Sequence, residues 1–506
     1  MTLSIQNVEK DFRHYVKKMS HYEEVIGLTA WDLRTGAPKK GVEQRSEVIG
    51  TLSTEVFRMS VSKEMETFLD KLEAPEVQNE IDDVTKHTVR ECRETFDKNT
   101  NVPEEEYEAF VILTAQAESV WEEAKDKQDF EMFKPYLEKI VRFNQKYVEW
   151  QGYSGHKYNT LLHEFEPGLT VETLDRVFTE LKEALIPLVK RVTESSSQPE
   201  TNFLYEYFPK EEQRAFSEQV LESMQYDFEA GRLDETVHPF AIGLNANDVR
   251  VTTKYDENDF RTAVFGTIHE GGHALYEQNI DAKYKNTPLC TGTSMGIHES
   301  QSLFWENFVG RHYAFWEAHY DLLKQFNEGQ FKNIGLDDFY CAINVAGPSF
   351  IRIEADEMTY SLHIILRYEL EKALINGELE VNDLPQAWND KMEEYFGIRP
   401  RHDGEGVLQD VHWAGGMFGY FPSYALGYVY AAQLKDALIK DIGNFETLLQ
   451  EGRLAPIKEW MTKHVHQFGK SKQPLDILRD ATGSSINAQP LLNYLRTKYE
   501  EIYRLN

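Results

Sequence analysis

At the centre of the sequence stands Ala263-Val264-Phe265-Gly266-Thr267-Ile268-His269-Glu270-Gly271-Gly272-His273-Ala274-Leu275-Tyr276-Glu277, in which apolar residues flank the pattern H-E-x-x-H. The apolar flanks predict a buried helix. On an α-helix, residues four positions apart lie on one face, so His269 and His273 can bind a single tetrahedral cation. Glu270 then lies beside the ion, where a general base takes a proton from water held at the metal. The stretch therefore predicts a helix that carries a hydrolytic metal site.

Two adjacent glycines lie between the histidines. Each glycine inside a helix costs about 0.8–1.0 kcal/mol relative to alanine, so Gly271 and Gly272 weaken the helix that contains them. We therefore expect another part of the chain to approach this backbone closely.

Composition and charge limit the classes of function. The chain has 506 residues, of which 41% are hydrophobic and 27% charged, as in ordinary globular proteins. Its net charge is −31, which argues against a nucleic-acid partner and against binding to anionic membrane surfaces. The three cysteines, Cys92, Cys290 and Cys341, lie far apart in the sequence and indicate neither a disulfide framework nor a cysteine-based zinc site.

The sequence also indicates where the protein resides. The first residues show no basic start followed by an apolar stretch, and no run of 18 apolar residues occurs. With the scattered cysteines, this predicts a reducing, cytoplasmic environment and no membrane span.

Helical periodicity dominates the chain. Val171, Leu174, Val177 and Phe178 begin one apolar stripe, with Thr170 as the predicted N-cap. A second long helix is predicted from Arg352 to Leu374. We expect one mostly α unit over residues 1–506, with a helical groove wall or lid in 1–200 and the catalytic region in 201–506.

The clearest strand signal precedes the metal helix. The segment 249–255 is rich in β-branched residues, and a turn at 245–248 separates it from 240–244. These segments predict a small hairpin beside the metal helix, where a strand can hold a peptide by backbone hydrogen bonds.

A catalytic zinc site uses three protein ligands and leaves one position for water. Glu299 lies 26 residues after His273 and offers a carboxylate on a following helix. Glu306 and Glu277 are competing candidates, and spacing alone does not separate the three.

Six motifs occur in an order that resembles the carboxypeptidase Taq family of zinc metallocarboxypeptidases. That family carries H-P-F, D-x-R-x-T, H-E-x-x-H, H-E-S-x-S, I-R-x-x-A-D and G-x-x-Q-D-x-H-W. This sequence has His238-Pro239-Phe240, Asp248-Val249-Arg250-Val251-Thr252, the H-E-x-x-H stretch, His298-Glu299-Ser300-Gln301-Ser302, Ile351-Arg352-Ile353-Glu354-Ala355-Asp356 and Gly406-Val407-Leu408-Gln409-Asp410-Val411-His412-Trp413.

The resemblance implies a fold, an assembly and a set of ligands. The fold is a large helical one with a long central groove, similar to angiotensin-converting enzyme and neurolysin, and the assembly is a homodimer. The activity is release of single residues from the free C-terminus of peptides. His269, His273 and Glu299 become the metal ligands and Glu270 the general base. Zinc is the expected ion, with cobalt as an alternative, because imidazole and carboxylate accept several divalent metals.

Further residues are candidates for the rest of the chemistry. The tetrahedral oxyanion needs a donor besides the metal, and we assign this to His412 with Tyr420 or Tyr424. The planar fork of arginine suits a terminal carboxylate, and Arg352 is the favoured anchor.

Arg250 and His238 are further substrate-binding candidates. Arg250 has an equally supported structural role, in which it pairs with Asp248 or Asp356. His238 is expected to close the groove or contact substrate, with a packed loop position before Pro239 as its alternative.

Two other functions compete with the carboxypeptidase. One is an endopeptidase or dipeptidase on the same metal centre, and the other is a peptide-binding or metal-binding protein without turnover. The intact Glu270 beside both histidines argues against the latter.

Overall fold

The computed structural model describes residues 5–505, and α-helices dominate this part of the chain. In chain order they are α1 (Ile5–Thr35), α2 (Val42–Ser60), α3 (Lys63–Leu72), α4 (Asp83–Asn101), α5 (Glu104–Lys127), α6 (Phe130–Gln151), α7 (Tyr158–His163), α8 (Val171–Glu194), α9 (Lys210–Ser223), α10 (Arg261–Gln278), α11 (Met295–Leu303), α12 (Tyr313–Phe326), α13 (Glu328–Phe331), α14 (Leu336–Ile343), α15 (Tyr360–Asn376), α16 (Leu384–Phe396), α17 (Pro422–Ile442), α18 (Phe445–Gln450), α19 (Ala455–His464), α20 (Pro474–Thr482) and α21 (Gln489–Ile502). Helix α8 begins as predicted, because the backbone N–H of Thr173 donates to the Thr170 hydroxyl.

A three-stranded sheet lies against the helices. Strands β2 (Ala241–Asn245) and β3 (Asp248–Thr253) form the predicted antiparallel hairpin. A third strand, β1 (Leu233–Glu235), pairs with β3 in parallel, which gives the order β1-β3-β2. Three residues are too few to show an alternating pattern, so β1 could not be predicted from the sequence.

Two apolar cores hold the helices together. The main core contains buried residues on both sides of residue 200, such as Leu137 on α6, Leu181 on α8, Leu275 on α10 and Tyr430 on α17. A smaller core joins α1, α3 and α4 through buried residues that include Phe12, Leu69 and Val89. The predicted division at residue 200 therefore crosses the main core and stays a prediction.

The helix predicted from Arg352 to Leu374 begins later than expected. A short 3-10 turn covers Arg352–Glu354, and α15 starts at Tyr360. The Asp356 carboxylate accepts the backbone N–H groups of Met358 and Thr359, at 2.9 and 3.0 Å. These bonds hold the chain in a turn before the helix, as Asp side chains commonly do.

The glycines at the centre of α10 allow close approach of two neighbours, as predicted. A Cβ at Gly272 would lie 2.6 Å from the Gln301 carbonyl oxygen and 2.7 Å from the Ser302 Cα, both on the backbone of α11. A Cβ at Gly271 would lie 2.6 Å from the Leu221 side chain of α9. The glycines therefore let α10 pack directly against α11.

We expect Gly272→Ala to lower stability by about 1–3 kcal/mol, because the added methyl group must displace helix backbone. Gly50→Ala is the matched control, since Gly50 lies exposed within α2 and an added Cβ there meets nothing within 4 Å apart from its chain neighbours and the adjacent backbone of its own helix. That control should gain about 0.8–1.0 kcal/mol of helix propensity. Thermal unfolding in the presence of a chelator measures the melting temperature of each variant and of the original chain. A Gly272→Ala melting temperature equal to that of the original chain would contradict the close packing of α10 and α11.

Candidate metal centre

A cavity of about 940 Å³ lies between α10, α11, strand β2 and the segment around Arg352. Its lining includes His269, Glu270 and His273 from α10 and Glu299 from α11. Tyr420, just before α17, and Tyr424, in its first turn, line the same cavity. The helix of the H-E-x-x-H pattern thus faces a space large enough for a ligand.

Three candidate ligands converge in this cavity. The Glu299 Oε2 atom lies 3.9 Å from Nε2 of His269 and 3.4 Å from Nε2 of His273. One ligand atom from each residue lies within 4.8 Å of the others, close enough to share one ion. Gly427 of α17 permits this position of Glu299, because a Cβ there would lie 2.7 Å from the Glu299 Cβ.

Hydrogen bonds orient both imidazoles. Nδ1 of His269 lies 3.0 Å from the Glu306 carboxylate and donates to it, so Nε2 is the ring nitrogen that faces Glu299. Nδ1 of His273 lies 2.6 Å from Nδ1 of His298, whose Nε2 is 2.9 Å from the Glu277 carboxylate. Since His298 donates through Nε2 to Glu277, its Nδ1 accepts from His273. Both histidines thus direct Nε2 toward Glu299, and Nε2 is the atom that would bind an ion held there.

Glu306 and Glu277 were competing candidates for the third ligand, and the structure places both on the outer side of the histidines. Glu306 lies on a π-helical segment, Phe304–Gly310, and receives a hydrogen bond from Arg311 at 3.0 Å. Burial raises the pKa of Glu306, but the hydrogen bond from His269 and the Arg311 charge outweigh it and hold this pKa at about 2. Glu306 is therefore a permanent anion that orients His269.

Glu270 is buried beside the candidate ligands, with 8% of its surface exposed. Burial raises the pKa of its carboxyl to about 7; His269 opposes this shift and the charge of Glu299 adds to it. A carboxyl with a pKa near neutrality can both accept and return a proton.

The aromatic wall of the cavity contains the candidate oxyanion donors. Nε2 of His412 lies 3.3 Å from the Tyr424 hydroxyl, and its ring centroid is 5.4 Å from that of Tyr420. Burial, with the charges of Arg352 and Arg367, lowers the pKa of His412 to about 4, although Asp410 opposes the shift. A neutral His412 therefore lies behind the two tyrosines, which themselves line the cavity.

Arg352 provides positive charge at this wall. Its Nε donates to Asp410 at 3.0 Å and one Nη to the Tyr360 hydroxyl at 3.1 Å, and only 6% of the residue is exposed. Asp410 also accepts from Arg367 at 2.7 Å. Two guanidinium groups thus share one carboxylate, which leaves one positive charge in excess. Arg367 is fully buried, so the excess is available to the cavity only through Arg352.

The structure does not bring Arg250 and His238 into this cavity. Arg250 donates to both carboxylate oxygens of Asp248 at 2.7 Å, because the two side chains share one face of β3. That face lies opposite the buried Val249 and Val251, so Arg250 lines a separate cleft. His238 is exposed, although the next two residues, Pro239 and Phe240, line the cavity.

Some residues around the site had no assigned role in the sequence analysis. His298 links Glu277 to His273 by hydrogen bonds. It directly precedes Glu299 in the same sequence motif, and this position next to a candidate ligand could have indicated its role. Tyr360 contacts Arg352 and lines the cavity, but it occurs in an ordinary helical pattern and carried no signal.

The protein-family comparison decides which class of site this is. A family model described as carboxypeptidase Taq (M32) metallopeptidase matches residues 11–499. The chain belongs to the M32 family. It is therefore a metallocarboxypeptidase, a metal-dependent hydrolase that acts on peptides. The predicted family is confirmed.

Curated relatives of this M32 chain match it over nearly its whole length. Carboxypeptidase 1 of Bacillus subtilis is 54% identical over 503 residues, which cover 99% of this chain and 100% of that protein. Thermostable carboxypeptidase 1 of Thermus thermophilus is 38% identical, with 97% and 98% of the two chains covered.

Solved structures agree with the predicted mostly α peptidase fold. The M32 carboxypeptidase from Deinococcus radiodurans superposes with a TM-score of 0.96 at 34% identity and covers 99% of this chain and 100% of that chain. A crystal structure described as BsuCP has a TM-score of 0.90 at 54% identity, with 98% and 99% covered. The fold class is confirmed. No helix within residues 5–505 of this M32 chain is both long and apolar enough to cross a membrane.

Proposed function

We propose that this chain removes single residues from the free C-terminus of peptides, with a divalent ion held by His269, His273 and Glu299. The observation that carries the proposal is the convergence of the two Nε2 atoms on the Glu299 carboxylate. Two imidazoles and one carboxylate form the donor set of catalytic zinc sites and leave a position for water. Zinc is the favoured ion, and cobalt is the alternative that the same ligands accept.

Proton transfer is the role of Glu270. A zinc ion held by these ligands supplies Lewis acidity, which polarises water and the scissile carbonyl. The Glu270 carboxylate accepts the proton of the attacking water and returns it to the leaving amine nitrogen. Its buried position and its pKa of about 7 support both directions of transfer.

The hydroxyls of Tyr420 and Tyr424 are the proposed donors to the carbonyl oxygen as it gains charge. Both line the cavity that holds the candidate ligands. His412 is neutral and lies 3.3 Å from the Tyr424 hydroxyl, so it orients that tyrosine and exchanges a hydrogen bond with it.

Arg352 is the proposed anchor for the terminal carboxylate of the substrate. It retains N–H groups beyond those bonded to Asp410 and Tyr360, because guanidinium has five. The excess positive charge of the Arg352–Asp410–Arg367 group favours an anionic ligand at this wall.

The proposal extends to the state and location of the protein. A homodimer is what the family resemblance implies, and sedimentation at two concentrations tests it. A cytoplasmic location is supported by the three cysteines, which are all free.

Digestion of matched peptides tests the proposed function. Mass spectrometry should show stepwise release of single residues from peptides with a free C-terminus, and a chelator should stop it. Amidation of the C-terminus should slow release strongly, because the amide offers Arg352 no charge. In Arg352→Lys the advantage of free over amidated peptides should fall by about 10- to 100-fold, the equivalent of about 1.5–3 kcal/mol for hydrogen bonds to a charged group.

Three outcomes would each contradict part of the proposal. Equal cleavage of free and amidated peptides would indicate an endopeptidase on the same centre. Cleavage of dipeptides but not of longer peptides would indicate a dipeptidase. Peptide binding without any product would indicate a binding protein.

A further inference from the structure

A second cleft lies on the far side of the sheet from the metal centre. Its volume is about 1100 Å³, and its walls are the C-terminal end of α1, strands β1 and β3, and parts of α2 and α9. Trp31 and Phe240, whose ring centroids are 5.4 Å apart, stand between this cleft and the active-site cavity. Arg34 is the one described residue that lines both spaces.

The cleft is basic, although the protein is strongly acidic. Three carboxylates line it, namely those of Asp32, Asp234 and Glu235. Six positively charged side chains line it, namely Arg34, Arg45, Arg214, Arg232, Arg250 and Lys254. With the ion-pair partners Asp248, Glu218 and Lys210 included, seven cations face five carboxylates, so the cluster keeps an excess of two positive charges in a chain whose net charge is −31. Such a local excess of one sign concentrates ions of the opposite sign.

Four of the six cations have partners within the chain. Arg232 pairs with Asp234 and Arg250 with Asp248, each with a contact at 2.7 Å. Arg214 pairs with Glu218 at 2.9 Å and Arg45 pairs with Asp32.

The other two cations are Arg34 and Lys254. Among residues 5–505, the side chains of Arg34 and Lys254 have neither an ion pair nor a hydrogen bond, and both residues are exposed. The Arg34 guanidinium instead lies 4.9 Å from the centre of the Phe240 ring. Two uncompensated cations thus face one cleft.

We propose that this cationic cleft binds a compact anion with two or more charged oxygens, of the phosphate or sulfate type. The arginine fork accepts two oxygens of such an ion, and the lysine ammonium adds a point charge. An acidic peptide is a different class of ligand and is one of the outcomes of the test.

Arg34 connects this cleft to the active-site cavity. An anion bound to Arg34 neutralises a cation that also faces the peptide cavity, so the peptide carboxylate is attracted less strongly. Occupancy of the cationic cleft is therefore expected to raise KM for peptides and leave kcat unchanged. This step rests on the proposed function, whereas anion binding itself does not.

Calorimetric titration of the metal-loaded protein with sodium sulfate tests the proposal, against sodium chloride at matched ionic strength. We expect saturable binding of one sulfate per chain that Lys254→Glu weakens by at least 10-fold. Lys440→Glu is the matched control, since Lys440 is an exposed lysine on α17 whose side chain also has no partner within residues 5–505. Peptide hydrolysis in the same salts should show a rise in KM with sulfate that is absent in Lys254→Glu.

Several results would overturn the proposal. Equal heats in sulfate and chloride, or an equal loss in both lysine variants, would show only general screening. Inhibition by sulfate that persists in Lys254→Glu would place the anion at the metal centre. Saturable binding of a glutamate-rich peptide without binding of sulfate would assign the cleft to a peptide ligand instead. A different result bears only on the proposed function: if the metal-loaded wild-type protein hydrolyses no peptide without added salt, that function is refuted, and the sulfate titration still tests the anion site.

Discussion

Glu270→Gln is expected to lower kcat by about 10²–10⁴-fold, the usual contribution of a general base. Glutamine keeps the size of the side chain but cannot accept the proton of the attacking water. Its amide should leave the candidate ligands in place, because neither imidazole depends on Glu270 for a hydrogen bond. Steady-state kinetics on a free peptide, with metal analysis of the same sample, measures both quantities.

The control for this variant is Glu222→Gln, which makes the same change at an exposed position of α9. It should leave both kcat and metal content unchanged. A Glu270→Gln enzyme with full activity would remove Glu270 from the mechanism. An inactive variant that has also lost its metal would show that Glu270 acts on the ligands rather than on the proton.

Glu299→Gln is expected to have the largest effect on metal binding. It replaces the anionic oxygen that faces both Nε2 atoms, so the affinity for zinc should fall by more than about 100-fold, and activity with it. Glu306→Gln should have a smaller effect, about 10- to 100-fold, because Glu306 orients His269 through Nδ1 without facing the shared space. Titration of each apoprotein with zinc against a competing chelator gives the zinc affinities of the two variants and thus their order.

The relative loss of zinc affinity in Glu299→Gln and Glu306→Gln tests which of the two carboxylates is the ligand. A greater loss of affinity in Glu306→Gln than in Glu299→Gln would reverse their assignments. Glu222→Gln again serves as the control and should bind zinc like the original chain.

Local features of the sequence were sufficient to predict much of the fold. The apolar flanks around His269 and the β-branched run at 249–255 predicted α10 and the hairpin, because each element contains its own periodic signal. The two glycines in α10 predicted close packing, which α11 and α9 provide. Strand β1 was missed because three residues carry no pattern, and the start of α15 was misplaced because the side chain of Asp356 holds a turn.

The surroundings of the site were less predictable, because they depend on contacts between distant residues. Spacing could not separate Glu299 from Glu306, which differ by two turns of helix but face opposite sides of His269. Arg250 matched a motif, yet its nearest carboxylate is Asp248 on its own strand, and this pairing holds it in another cleft. Residue type and motif order therefore predicted the class of chemistry better than they predicted the ion-pair partner of each charged side chain.

The central claim is that His269, His273 and Glu299 hold one divalent ion between their side chains. Anomalous diffraction from crystals grown with zinc, recorded on both sides of the zinc absorption edge, tests it most directly. We predict one strong peak per chain, at bonding distance from both Nε2 atoms and from the Glu299 carboxylate. A peak bonded to Glu306 or Glu277 instead, or a Glu299 carboxylate turned away from the ion, would contradict it.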